Sequence, residues 1–317
     1  MKKVCLHIGY PKCLSTTLQR SFFEKHPQIN YAGVGINDNI SYVNKDIEFI
    51  FESLLKYAND CYWNQNKKQA KKTIEEFVNN SSLLSLFSSE HLGFKFSQQQ
   101  IDSVEKIKRL AFLFSDFEVS IFIIEREPIN LLKSLYREFL KMGYKDNYTY
   151  FMRELVALSD RNFLSDLNIL NKKSQLKEHF YNVDITCLNF EDLTKNQEFL
   201  NVTLSSVLRI DNHKLPIKND NPSISNEHLS KLLKYNQMHP RELGLSQYEP
   251  FERHRNRIVY QRSELDYKEE EIFRNVINKR LVLNKAFKGD KNTSYKNLFQ
   301  LTDLEELVLQ KIRSFNP

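Results

Sequence analysis

The sequence predicts an α/β protein: a central parallel sheet flanked by helices, with helical insertions and a helical C-terminal extension. Short apolar runs alternate with amphipathic segments through the first two-thirds of the chain, as βαβ units require. The chain opens on an apolar strand, Val4 to Ile8, which passes through a turn holding Gly9 and Lys12 into a helix. Its 317 residues, 41% hydrophobic and 12% aromatic, supply a sizeable core.

Taken in order, strands fall near Lys3–Ile8, Ser82–Phe87, Val119–Glu125 and Ile185–Asn189. A helix from about Ser15 to Lys25 follows the first. Residues 35–80, polar and aromatic and including Tyr62-Trp63, read as an insertion between the first two strands. Connections at the carboxyl ends of strands carry function, so this one is expected to cover the site. A helix from Pro128 to Lys141 follows the third strand. Pro128 suits the first helical position, and Leu132, Leu135, Tyr136, Phe139 and Leu140 form one apolar stripe at helical spacing. Residues 223–317 are mostly helical, with segments at Glu227–Gln237, Glu264–Asn284 and Asp303–Ile312. Asp303 suits the N-cap of the last, and Asn221-Pro-Ser-Ile-Ser225 reads as a loop and helix cap. With no internal repeat or linker in the pattern, residues 1–317 are expected to form a single domain.

Composition narrows the function classes. A charged fraction of 27% and a mean hydropathy of −0.53 indicate a soluble protein. No apolar run approaches the ~20 residues that span a bilayer. The apolar stretch after Met1-Lys2-Lys3 is broken by His7, Tyr10 and Lys12, with no small-residue cleavage site after it, so a cytoplasmic location is expected. A net charge of +6 suits an anionic small molecule, and no nucleic-acid motif accompanies it. Cys5, Cys13, Cys61 and Cys187 have neither metal-ligand nor disulfide spacing. Cys5 and Cys187 read as small buried hydrophobes. Cys13 is either a thiol acidified by nearby positive charge or a spacer in the turn. Lys67-Lys68 and Lys71-Lys72, beside Glu75 and Glu76, read as a solvated face.

Two segments carry the chemistry. In His7-Ile-Gly-Tyr-Pro-Lys-Cys-Leu-Ser-Thr-Thr17, a helix start offers unpaired N–H groups and a positive dipole end to an anion. Lys12 adds a mobile cation, and Ser15, Thr16 and Thr17 add hydroxyl donors. In Ile121–Leu140, a strand ends, Arg126 stands at its carboxyl edge, and Ser134 follows eight positions later on the next helix. The planar fork of an arginine grips two phosphate oxygens at once. Ser134 lies opposite the apolar stripe, so packing does not account for it.

Together these segments resemble the sulfotransferases that use 3′-phosphoadenosine 5′-phosphosulfate (PAPS). Those enzymes hold the 5′-phosphosulfate in a Pro-Lys-x-x-Thr-Thr loop and the 3′-phosphate with an arginine and a serine at this separation. The resemblance implies a P-loop-NTPase-like sheet, Pro11, Lys12, Cys13, Leu14, Ser15, Thr16 and Thr17 around the phosphosulfate, and Arg126 and Ser134 at the 3′-phosphate. It covers roughly the first 210 residues, through Phe190-Glu-Asp-Leu193. Leu14 stands where many members carry glycine, and Ser15 replaces the first of two threonines. A leucine at that point requires the loop to tolerate its φ/ψ. The resemblance also implies sulfuryl transfer by in-line displacement, with Lys12 balancing charge on the leaving nucleotide and no metal.

A base must take the proton of the attacking acceptor. Ser88-Ser89-Glu90-His91-Leu92 follows the second apolar strand and offers Glu90 first and His91 second. Alternatively, Glu90 caps a helix starting near His91. The acceptor is expected to be a hydroxyl or amine of a glycan or small metabolite. Arg253-His-Arg-Asn-Arg257 would close over the donor, bind an anionic acceptor, or form a solvated face. Two rival readings remain open. A P-loop kinase or phosphotransferase would need glycine directly before the lysine, where this chain has Pro11. A catalytically silent anion- or glycan-binding protein would keep the loop and lack a base.

Overall fold

The computed structural model describes residues 1–33, 45–95, 100–159, 162–216, 225–238 and 302–315. The segments Glu264–Asn284 and Arg253–Arg257 lie outside them. Five strands form one wholly parallel sheet: β1 (Lys3–Ile8), β2 (Ile29–Tyr31), β3 (Leu84–Ser89), β4 (Glu118–Glu125) and β5 (Asp184–Asn189). Their order across the sheet is β2-β3-β1-β4-β5. The expected α/β class is therefore what the chain adopts. Val4 pairs with Ser85 on one side of β1 and with Val119 on the other. This central place buries every residue of β1 after Lys3, which is why it reads as a near-continuous apolar run.

The chain leaves β1 toward β2 at one side of the sheet and leaves β4 toward β5 at the other. Such a divergence opens a crevice at the carboxyl ends of the diverging strands. Helices fill both faces: α1 (Ser15–Leu18, continued by a π-helical turn Gln19–Phe23), α2 (Lys45–Phe49, continued likewise by Ile50–Leu54), α3 (Asp60–Asn79), α4 (Ser103–Leu113) and α5 (Pro128–Met142). After these come α6 (Tyr148–Ala157), α7 (Ile169–His179), α8 (Phe190–Leu193), α9 (Gln197–Leu208), α10 (Asn226–Met238) and α11 (Thr302–Arg313). Among the described residues, no helix is long and apolar enough to cross a membrane.

Three expectations need correction. The short strand β2 went unseen in the sequence, because three residues are too few for a period to register. It divides the connection from β1 to β3, so that residues 45–80 lie between β2 and β3. Parallel strands need a dozen or more residues to cross back, and here α2 and α3 supply them. Their Ile47, Ile50, Phe51, Leu54, Trp63, Ile74 and Val78 belong to the core. β3 is shifted two residues later than expected, since Ser88 and Ser89 pair in register with His7 and Ile8. Asp303 is not the N-cap of α11; it lies in the first turn of a helix already begun at Thr302.

α5 forms as its sequence requires. Pro128 opens it, the Glu127 carboxylate accepts from the N–H groups of Ile129 and Asn130, and Gly143 ends it at φ 104°. The stripe from Leu132 to Leu140 is buried. Buried Asn236 of α10 donates to the carbonyls of Leu140 and Tyr144 at 2.8 and 2.9 Å, fastening α10 to the end of α5. Ser225 accepts from the His228 N–H and caps α10, as expected. Leu229, Leu232, Val308 and Ile312 bring α10 and α11 into the same core as the sheet.

One buried carboxylate ties the crevice walls together. Asp166 Oδ1 accepts from Ser103 of α4 and, at 2.9 Å, from Lys172 of α7, while Oδ2 accepts from the Lys95 N–H at 2.9 Å. Its carbonyl accepts from the Tyr10 hydroxyl at 2.7 Å, which anchors the loop after β1. Removing one partner of a buried ion pair strands the other charge. Asp166→Ala is therefore expected to lower stability by about 3–5 kcal/mol, read as a fall in the urea midpoint.

Candidate active site

The loop after β1 takes a conformation seldom open to side chains. Lys12 and Leu14 both have left-handed φ, 63° and 64°. Leu14 thus holds a backbone conformation that favours glycine, at a cost of roughly 1–2 kcal/mol. Lys12, Leu14 and Thr16 keep partial exposure, whereas Pro11, Cys13, Ser15 and Thr17 are buried. A Cβ on Gly9 would lie 2.6 Å from Ser15 Oγ, so the loop cannot close over any larger residue without moving. Burial pushes the Cys13 thiol well up, which makes it a spacer and not an acidified nucleophile.

Arg126, directly after β4, reaches back to this loop. Its Nη1 donates to the Lys12 carbonyl at 3.1 Å. The guanidinium stacks on Phe190 at 4.3 Å, and its Nε is 3.7 Å from Glu191 Oε1. The Phe190–Leu193 turn after β5 therefore joins the site through Arg126. Ser134 is half-buried on α5 and makes no hydrogen bond with Arg126. Arg137, three residues on, is close enough that Arg126, after burial, lowers its proton affinity.

Lys12 is held by a residue the sequence reading missed. Its Nζ is 3.2 Å from Glu138 Oε2, which also takes Lys141 at 3.1 Å. Burial pushes the Glu138 carboxyl up, but Lys12 and Lys141 overcome it and hold the value near about 2. The signal was available, because Glu138 is one turn beyond Ser134 on the same polar face of α5.

Glu90 lies in the turn after β3, near enough for Lys12 to act on its charge. No helix starts near His91, so the capping alternative falls away. Glu90 is 3% exposed, and burial raises its carboxyl to about 7 despite Lys12, Ser15 and Lys56, with Glu138 adding to the rise. The Ser15 hydroxyl sits beside it without closing a hydrogen bond of full geometry. His91 is 0% exposed, and burial with Lys56 and Lys106 nearby drives it well below the usual imidazole range. Lys56 itself pairs with Glu52, four residues earlier in the same segment. A cavity of about 430 Å³ opens at the opposite, amino end of the strands, far from these groups. Its Lys3 and Arg209 are paired with Glu118 and Asp184, and Lys2 donates to the carbonyls of Val78, Asn79 and Ser81.

No family model matches the chain, and no curated protein matches it. Among solved structures it is similar to a sulfotransferase from Alicyclobacillus acidocaldarius, at 10% identity over 74% of this chain and 93% of that one. The TM-score of 0.45 marks a likeness too loose to bear on function.

Glu90 yields a prediction with a definite sign. Its carboxyl is raised in the folded state, so ionisation is disfavoured there and stability is lost as pH rises from about 4.5 to about 7. Glu90→Gln removes that loss. The variant is expected to exceed the wild type by on the order of 3 kcal/mol at pH 8, with the gap closing toward pH 4.5, in urea titrations at both pH values.

Proposed function

We propose that the protein is a PAPS-dependent sulfotransferase acting on a hydroxyl or amine of a glycan or small metabolite. One observation carries this reading: the 3.1 Å hydrogen bond from Arg126 to the Lys12 carbonyl. It brings two segments with phosphate-binding residue types, 114 residues apart in sequence, to a single crevice at the carboxyl ends of β1 and β4. The residues present fit an anion with two separated phosphate groups. Lys12 and Thr16 stand on the left-handed loop after β1, Arg126 directly follows β4, and the next helix, α5, carries Ser134 and Arg137.

When bound, PAPS supplies a sulfuryl group already activated by its phosphate. The chain does the rest. Lys12, with backbone N–H groups of Cys13 to Thr17 and the Thr16 hydroxyl, holds the phosphosulfate and balances charge on the departing oxygen. Arg126 and Ser134 hold the 3′-phosphate. Glu90 takes the acceptor's proton, because a carboxyl near 7 is partly ionised at neutral pH and still basic enough to accept it. His91 is the weaker candidate, being sealed from solvent. Pro11, Cys13 and Leu14 shape the loop. A cytoplasmic setting agrees with the use of a nucleotide donor.

Calorimetric titration with adenosine 3′,5′-bisphosphate tests the reading without knowledge of the acceptor. Lys12→Ala and Arg126→Ala are each expected to weaken binding at least tenfold, about 1.4 kcal/mol. Glu90→Gln should retain binding while lowering transfer by about 10²–10⁴-fold. Failure of the wild type to bind this nucleotide, under conditions where ATP binds, would return the protein to the phosphotransferases. Full transfer by Glu90→Gln would remove Glu90 as the base.

A further inference from the structure

A charged residue stands on the face of α4 that packs into the core. That face runs through Ser103, Lys106, Ile107, Leu110 and Leu113 at helical spacing, and Lys106 is 0% exposed within it. Its Nζ donates to the His91 carbonyl at 2.9 Å, to the Phe94 carbonyl at 2.8 Å and to Gln100 Oε1 at 2.9 Å. The three N–H groups of an ammonium are thus spent on three neutral acceptors. A methionine would fill the same space without the cost of burying a charge, so packing does not account for the lysine. Two of the acceptors belong to the turn after β3, which carries Glu90.

Other contacts hold the same turn. The Lys95 N–H donates to Asp166 Oδ2 at 2.9 Å, and Phe94 stacks on Phe163 with ring centroids 4.9 Å apart. A Cβ on Gly93 would lie 2.8 Å from Ile8 Cγ2, so the turn lies directly against the end of β1. We infer that Lys106 is the positioning residue of Glu90: from α4 it clamps the His91 and Phe94 carbonyls and so fixes where the Glu90 carboxyl stands. This role deepens the reading of Glu90 as the base and rests on it. Held this way, Glu90 stays buried beside Ser15, within reach of the Lys12 charge. Lys106 acts through the backbone, because the charged groups that act on Glu90 are Lys12, Glu138 and Lys56. Around Lys106 itself, burial lowers the proton affinity of the amine, Asp166 opposes this, and Lys56, Lys172 and Lys95 add to it. The clamp needs the protonated form, since a neutral amine has two N–H groups for three acceptors.

The free protein supplies the decisive readouts. Nitrogen-15 NMR of the wild type at pH 7 is expected to show Lys106 as an ammonium, with couplings across the hydrogen bonds to the His91 and Phe94 carbonyl carbons. Carbon-13 titration of the Glu90 carboxyl, assigned with Glu90→Gln, should give a midpoint near 7. In Lys106→Met the loosened turn lets water reach the carboxyl, and the midpoint is expected to fall by about one unit or more, a tenfold gain in acidity. Its affinity for adenosine 3′,5′-bisphosphate should stay that of the wild type. Lys106→Gln, with an amide on a shorter arm, should give a smaller fall, and takes the place of Lys106→Met if that variant fails to fold. Missing couplings in the wild type overturn the inference, as does an unchanged or raised midpoint in folded Lys106→Met. A fallen midpoint accompanied by lost nucleotide binding also overturns it, because the disturbance is then general. If the wild type itself binds no bisphosphate, the sulfotransferase reading fails, and the two NMR readouts still decide the clamp.

Discussion

The site depends on the hydrogen bond from Arg126 to the Lys12 carbonyl. Two consecutive-but-one residues of the loop, Lys12 and Leu14, stand in left-handed backbone that non-glycine residues avoid. Such a conformation persists only when its surroundings over-determine it. Arg126 supplies one restraint from β4, and the Tyr10 hydroxyl on the Asp166 carbonyl supplies another from the far wall. The loop is thereby stretched between the two sides of the crevice, with Lys12 outward and Cys13, Ser15 and Thr17 inward.

Charge around Lys12 follows from this posture. The ammonium acts on two carboxylates, Glu138 held near about 2 and Glu90 raised to about 7. Their difference comes from surroundings: Glu138 has two cations within 3.2 Å, whereas Glu90 is deeper and has neither of its neighbours in an ion pair with it. Divergent carboxyls at one site divide naturally into a permanent charge and a proton acceptor. Glu138 holds Lys12 through the same oxygen that takes Lys141.

Much of this was legible in the sequence where local rules govern. The alternating runs marked four of five strands, and α5 could be read from Pro128 to its apolar stripe because helix start and periodicity are local signals. The loop and Arg126 stood out by residue type and spacing, and the fold brings them into contact. What escaped depends on tertiary partners. β2 is three residues long and leans on β3 for its pairing. Ser88 and Ser89 read as lying beyond the strand, since nothing local announces that His7 and Gln19 will claim a buried hydroxyl. Glu138 looked like one more polar residue on α5 until the fold set Lys12 against it. Ser15, grouped with Thr16 in the loop, is buried beside Glu90, a neighbour that nothing local announces.

The account's central claim is that one crevice binds two phosphate groups through segments remote in sequence. It is tested most directly by comparing the affinities of adenosine 3′,5′-bisphosphate and adenosine 5′-phosphate for the wild type and Arg126→Ala. The expected result is a preference of at least tenfold for the bisphosphate in the wild type, about 1.4 kcal/mol, collapsing toward unity in Arg126→Ala. Equal affinity of the wild type for the two nucleotides, or a preference untouched by the substitution, would contradict it.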